Sequence, residues 1–185
     1  HERSRRQRQM CIRDRISTDK LGGANLHDFH AFTPTVANIR PTSRGEISIS
    51  SSDTKVNPKI KMNYLSTDED RKVAADGIKL IRKIVMETNE FKKYEPEEFR
   101  PGSHLNEKEE IVKACSHYAQ TIFHPVGTCK MGNDESAVVS DKLKVHGINK
   151  LRVIDASIMP NITSGNTNAP TIMIAEKGAD MILSA

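Results

Sequence analysis

Apolar and polar positions alternate with period two in two short stretches of the first third of the chain. Ile47 and Ile49 flank Ser48 and precede Ser50, behind the turn residues Ser43, Arg44 and Gly45; Ile60, Met62 and Tyr64 repeat the pattern behind Pro58. Such alternation predicts half-buried extended chain, and two neighbouring runs of it predict an antiparallel pairing. Val36 and Ile39 mark a further short extended run. From Thr67 the period changes. Val73, Gly77, Ile78, Ile81, Ile84, Val85 and Thr88 recur at helical spacing, which leaves Lys72, Lys79, Arg82 and Lys83 on a solvated face. Thr67 is placed to cap this helix and Asp70 to reach back as the acid of a capping box, while Asp68, Glu69 and Asp70 favour the positive helix end.

A charged connector with two prolines, residues 87–104, separates this helix from a second one. Asn106 and Glu109 repeat the capping spacing, and Ile111, Val112, Cys115, Tyr118, Ala119 and Ile122 form its apolar stripe, ending before Pro125. From His124 onward the texture is different: short segments, punctuated by glycine and rich in small polar residues. Strands are predicted at 144–146 and 151–154, then a C-terminal helix entered at Pro170, with Ile172, Ala175, Ala179 and Ile182 on one stripe. The sum is an α+β fold, an antiparallel sheet from the first half flanked by the helices that start near Thr67 and Asn106.

Composition narrows the function classes. A chain of 185 residues buries a core of its own, and no apolar run approaches the roughly 20 residues of a membrane span. With no Trp and 4% aromatics, few rings are at hand to stack on bases or sugars. The net charge of +4 sits in the first fifteen residues, where Arg3, Arg5, Arg6, Arg8, Arg13 and Arg15 face only Glu2 and Asp14; the rest of the chain balances. That segment could be a nucleic-acid-binding arm, a localisation signal or a tail foreign to the fold. It lacks the apolar stretch of a secretory signal, and nothing downstream supports nucleic-acid binding, so residues 1–30 are read as a disordered or foreign basic tail. Cys11, Cys115 and Cys129 make no disulfide framework, and a Cys115–Cys129 bridge and two separate thiols both stay open.

Two constellations carry chemistry. Cys115, His117, His124 and Cys129 are metal-ligand types within fifteen residues, but they interleave across a helix end where zinc ligands usually come in close like pairs, so no metal is expected. The second is His124 in HPVGTCKMG together with the loop SGNTNAPT. Pro125 and Gly127 fix the backbone around an imidazole, and Asn166 and Asn168 offer donors and acceptors from another loop.

HPVGTCKMG, LRVIDASIMP and SGNTNAPTIMIAEKGADMI, in this order, closely resemble the C-terminal region of the glucose–methanol–choline (GMC) oxidoreductases, flavoenzymes that oxidise alcohols. RPTSRGEISISSSDTKVNPKIKMNYLST resembles the start of that family's substrate-side domain, so the likeness runs from about residue 32 to 185. Within the family the wording is most similar to the insect-type FAD glucose dehydrogenases. The resemblance implies FAD as cofactor, a small alcohol or sugar as substrate, and oxygen or a quinone as electron acceptor; the location stays open, an extracellular one being suggested by the subfamily likeness alone. It implies that His124 takes the substrate's hydroxyl proton while a hydride passes to flavin N5, and that Asn166 holds the substrate oxygen. Asp155 and Ala156 then lie near the flavin chain, and Asn168, Pro170 and Thr171 beneath the flavin ring, at a helix end that favours negative charge on it. Residues 31–123 correspond to the substrate-side domain and 124–185 to the active-site and flavin-contacting segment. No G-x-G-x-x-G dinucleotide motif occurs. The chain is therefore expected to be a C-terminal fragment, inactive alone, that returns to an FAD-binding domain largely outside it. A degenerate member that keeps the fold as a binding module is the alternative. The sequon at Asn161 is read as chance.

Overall fold

A computed structural model of the chain describes residues 29–184; the Arg-rich segment, Cys11 and the Gly22-Gly23 pair lie outside the described residues. In chain order the elements are β1 (Glu46–Ser48), β2 (Lys59–Lys61), α1 (Asp68–Glu87), α2 (Asn89–Lys92), α3 (Lys108–Tyr118), a 3-10 turn (Ala156–Ile158) and α4 (Asn168–Leu183).

β1 and β2 pair antiparallel, as the alternation predicts, with Ile47 opposite Ile60 and Glu46 opposite Lys61. The face they share is not half-buried. Ile47 is 52% and Ile60 60% exposed, because the ribbon has only three residues per strand and no other element packs on it among the described residues. The run at Val36 and Ile39 forms no strand.

α1 begins where the sequence predicts, and Thr67 does cap it: its hydroxyl accepts the Asp70 N–H at 3.3 Å. Asp70 does not reach back as a capping-box acid. Only 4% exposed, its carboxylate turns to the preceding segment and accepts the N–H groups of Thr42 and Ser43, each at 2.9 Å, the Thr42 hydroxyl at 3.2 Å and Asn38 Nδ2 at 3.1 Å. Burial pushes this carboxyl up, but the hydrogen bonds from Ser43 and Thr42 outweigh it and hold it below the ordinary value. Arg82 also departs from expectation. Placed by periodicity on the solvated face, it is half-buried and grips Glu98 with Nε and Nη2, both at 2.9 Å. A planar guanidinium tolerates burial when a carboxylate meets it in this two-point fashion.

The described residues form two compact units. One comprises those up to Val36 with Gly77–Phe99. It is held by Phe32 stacked on Phe91, Phe29 edge-on to Phe99, and the Arg82–Glu98 pair. The other comprises Ala37–Asp76 and the described residues from Arg100 on.

In this second unit α3 starts one residue later than the spacing of Asn106 and Glu109 predicts. Glu107 takes the capping position, and the Glu110 carboxylate accepts its N–H at 3.3 Å. The helix stops at Tyr118 because Ala119 turns to extended backbone, so Ala119 and Ile122 are not part of its stripe. The core lies further along. Val139, Leu143, Ile158, Met159 and Ile174 are buried together, with Val126, Met131, Val145, Ile154 and Met181 packed against them. Burying side chains of this size stabilises by about 1.5–3 kcal/mol each, so this aliphatic cluster, and not the exposed ribbon, holds the unit together. The strands predicted at 144–146 and 151–154 reduce to single bridges, Val139 with Val145 and Lys144 with Arg152, since the segment turns too often to build a ladder.

α4 begins at Asn168, which places Pro170 inside its first turn. Its buried face is not the predicted stripe. Ile172 and Ile182 are 55% and 51% exposed, whereas Ile174 and Gly178 are buried and Met181 is half-buried. Gly178 lets the helix rest on Ile154: a Cβ there would lie 2.5 Å from Ile154 Cγ2. Hydropathy weights isoleucine above glycine, but close approach to the core rewards the smaller residue. Among the described residues no helix is long and apolar enough to cross a membrane.

Candidate active site

Two stretches of the second unit meet at the N-terminus of α4. The first, 124–132, is laid along the 3-10 turn. Cys129 N–H donates to Ser157 O at 3.0 Å and Met131 N–H to Ile158 O at 2.8 Å. Gly127, with φ of +89°, takes the left-handed conformation that makes this possible, and a side chain there would meet Met159 O at 3.2 Å. The turn itself is capped by Asp155, whose carboxylate accepts the Ser157 N–H at 2.7 Å, and Ala156 packs against the core.

The second stretch, 160–167, is pinned by two arginines from far along the chain. Arg44 Nη2 donates to Asn161 Oδ1 at 2.7 Å and Arg40 Nε to Ser164 Oγ at 2.6 Å. Ser164 has φ of 61°, a conformation that bends the loop back toward α4. The sequon asparagine is thus an exposed anchor of this loop. Beyond Ser164 the loop carries Asn166 and Thr167 into α4.

His124 meets this loop directly. The half-buried imidazole places Nδ1 2.9 Å from Thr167 Oγ1, and the Thr167 N–H points at the same nitrogen from 3.4 Å. Thr167 is only 8% exposed. Nε2 has no hydrogen-bond partner among the described residues. Asn166, one peptide unit from Thr167, is exposed, and its carboxamide is likewise without a partner there. The fold therefore brings His124 and Asn166, 42 positions apart in the numbering, to one edge. Thr167 escaped the sequence reading. Its signal was its place immediately before a helix start, where a threonine ordinarily caps.

The other singled-out residues are placed as follows. Asn168 is the first residue of α4, and Pro170 lies in its first turn. Thr171 turns inward along the helix, its N–H and hydroxyl both donating to Thr167 O at 3.0 and 2.6 Å. Cys115 on α3 and Cys129 are free thiols, and burial pushes that of Cys115 up. Among the described residues no group of three or more His, Cys, Asp or Glu is arranged to hold a metal. The turn after Cys129 is closed by Asp134, which accepts from Ser136 and Lys130 and is held far below the ordinary carboxylate range by those bonds.

Chemically, this edge offers a nitrogen base, a carboxamide and the open end of a sixteen-residue helix. The N–H groups of Asn168 and Ala169 make no hydrogen bond among the described residues, and a Cβ on Gly165 would meet nothing within 4 Å. A family model described as GMC oxidoreductase matches residues 41–175.

The chain belongs to the GMC oxidoreductase family.

It matches the C-terminal part of that family. An oxygen-dependent choline dehydrogenase of Proteus mirabilis is 47% identical over 160 residues, which are 86% of this chain and 29% of that protein. Among solved structures, pyridoxine 4-oxidase from Mesorbium loti superposes with a TM-score of 0.73 at 34% identity, covering 80% of this chain and 28% of that one. A formate oxidase of Aspergillus oryzae, studied for modification of its FAD, does so with 0.73 at 32%, covering 84% and 29%. The chain thus spans less than a third of the length of these relatives. The GMC resemblance and the α+β architecture hold, whereas the narrower likeness to insect-type glucose dehydrogenases gains no support from relatives whose names specify choline.

GMC oxidoreductases are FAD-dependent flavoproteins. The residues present fit such a group. The unpartnered N–H donors at the start of α4 and the carboxamides of Asn166 and Asn168 are groups that would suit the carbonyl-bearing edge of a flavin.

Proposed function

We propose that this chain supplies the catalytic edge of an FAD-dependent oxidoreductase that acts on the CH–OH group of a small alcohol, choline or a close relative of it. The observation that carries the reading is the meeting of His124 with the Asn166–Thr167 loop at the open end of α4. Residues 31–123 serve as the substrate-side domain and 124–185 as the part that lines the active site and the flavin. A flavin bound there supplies the acceptor for the hydride that leaves the alcohol carbon. His124 takes the hydroxyl proton, and Asn166 holds the oxygen by a hydrogen bond that does not depend on pH. Asn168, Pro170 and Thr171 in the first turn of α4 would hold the flavin ring, and Asp155 and Ala156 would hold its chain. The electron acceptor is oxygen or a quinone. The chain alone neither retains FAD nor turns over alcohols, and the activity resides in the full-length protein.

The test is the visible spectrum of the purified full-length protein before and after choline, glucose and simple alcohols, beside a His124→Ala variant. The parent flavin band is expected to bleach with choline, and the variant to bleach about 10²- to 10⁴-fold more slowly. Bleaching with glucose alone would move the substrate to sugars. A full-length protein that binds no flavin would overturn the reading in favour of a binding module that keeps only the fold.

A further inference from the structure

We infer that Arg40 and Arg44 are positioning residues for the reaction: together they hold the loop 160–166 in the shape that presents Asn166 at the edge where His124 lies. The inference rests on the reading of Asn166 as the group that holds the substrate oxygen, and it deepens that reading.

The loop has little else to hold it. Among the described residues its backbone N–H and C=O groups make no hydrogen bond, and the side-chain bonds in the stretch are those that Asn161 and Ser164 accept from the two arginines. The chain on either side is fixed. Ile158 O accepts from the Met131 N–H at 2.8 Å, and Thr167 O from the Thr171 N–H at 3.0 Å. Between these points only Ile162 and Ser164 are half-buried, and the other residues of the loop are exposed. A stretch with so few contacts of its own samples many conformations unless something outside it selects one. Ser164, with φ of 61°, stands in a backbone region that costs a non-glycine residue free energy and persists where surrounding contacts impose it. The contact that imposes it is Arg40 Nε on Ser164 Oγ at 2.6 Å, two residues before Asn166.

A guanidinium only donates, so the direction of both bonds is fixed: Ser164 Oγ and Asn161 Oδ1 are the acceptors. The base of the clamp is itself braced. Arg44 grips the loop with Nη2 and, with Nη1, donates to Pro41 O at 2.9 Å and Ser43 O at 3.0 Å in its own segment. The N–H groups of that turn, from Thr42 and Ser43, go to the buried Asp70 carboxylate, and the Arg40 N–H goes to Asn38 Oδ1 at 3.0 Å. A segment satisfied on both its donor and its acceptor side is a firm support, and the planar guanidinium loses little freedom in using it. Two grips three residues apart fix both the place and the heading of the chain as it runs toward Asn166. A carboxamide placed before the substrate arrives spares the reaction the cost of ordering it.

The experiment uses the full-length, FAD-loaded protein as parent, Arg40→Gln, Arg44→Gln and the double variant, with two readouts. The first is the methyl NMR spectrum after isoleucine δ1 labelling, in which Ile162 is assigned by its loss in Ile162→Val. The Ile162 signal is expected to move or broaden in each variant and most in the double one, while those of Ile154 and Ile174 in the core stay in place and report that the protein is folded. The second is the rate at which choline bleaches the flavin, measured with Asn166 present and in an Asn166→Ala background. Each arginine change is expected to slow bleaching about tenfold with Asn166 present, the effect of one net hydrogen bond, and less than about twofold without it. An unchanged Ile162 signal overturns the inference. So does an equal cost in the two backgrounds, because a merely structural role does not depend on Asn166. The two proposals fail in different ways. An Asn166→Ala enzyme that bleaches at the parent rate overturns the reading of Asn166, and the inference goes with it. A slow Asn166→Ala enzyme beside arginine variants at the parent rate overturns the inference alone.

Discussion

Replacing Asp70 tests how the segment ahead of α1 is held. In Asp70→Ala the Thr42 and Ser43 N–H groups, both at 2.9 Å from the carboxylate, lose their acceptor, as do the Thr42 hydroxyl and the Asn38 amide. Bonds to a charged acceptor are worth about 1.5–3 kcal/mol each, which gives about 3–6 kcal/mol for the two backbone pairs. Thr42 is exposed and Ser43 half-buried, so water replaces part of the loss, and the expected destabilisation is about 2–4 kcal/mol. With a urea m-value of about 2 kcal/mol/M, the unfolding midpoint falls by about 1–2 M. Asp70→Asn adds the pH dimension. The folded carboxyl titrates below its ordinary value, so its contribution is complete above that value, about 3.9, and is lost as pH falls through the lower folded value. The stability gap between parent and Asp70→Asn is therefore widest above pH 4 and narrows in acid, while the other carboxylates cancel in the difference. Midpoints within about 0.3 M of each other at neutral pH, or a gap that widens in acid, would refute the account.

Three further outcomes follow from packing and burial. Gly178→Ala would normally gain helix propensity, but the added methyl collides with Ile154; a net loss of about 1–2 kcal/mol in urea titration is expected, with recovery in the double variant Gly178→Ala, Ile154→Val. Gly127→Ala forces a side chain into the left-handed region against Met159 O, and should lower stability by about 1–3 kcal/mol and shift the His124 ring signals, whereas an unchanged spectrum would show that the loop does not set the ring. Iodoacetamide should alkylate Cys115 more slowly in the native chain than in urea at the same neutral pH, with the rate rising as pH is raised; equal rates would contradict the burial that pushes this thiol up.

Much of this was legible in the sequence because the signals were local. The alternation at Ile47 and Ile60 found the antiparallel pair, and Thr67 announced the start of α1, since both depend on near neighbours in the chain. The errors arose where distant partners decide. Nothing near Asp70 says that its acceptors are filled from Thr42 and Ser43, nothing near Arg82 names Glu98, and the buried stripe of α4 is set by where Ile154 happens to lie. At the site, motif wording pointed to His124 and Asn166, which the fold brings to one edge, while Thr167 was invisible because its hydroxyl leaves its expected capping role for a ring far away in the chain.

The arginine pins on the loop at 160–167 set an order of assembly. Arg40 and Ser164 are 124 positions apart, and Arg44 and Asn161 are 117 apart, whereas the core around Val139, Leu143, Ile158 and Ile174 closes within a few tens of residues. Entropy of loop closure delays contacts of long reach, so the core condenses first and the loop bearing Asn166 is drawn to its final place last. The exposed ribbon region between Gly45 and Tyr64 lies inside the span those pins close. A protease cut there would leave the core intact and the arginine segment held to it by non-covalent bonds alone, those to Asp70 among them, making the candidate site's loop the part of this unit most sensitive to such damage.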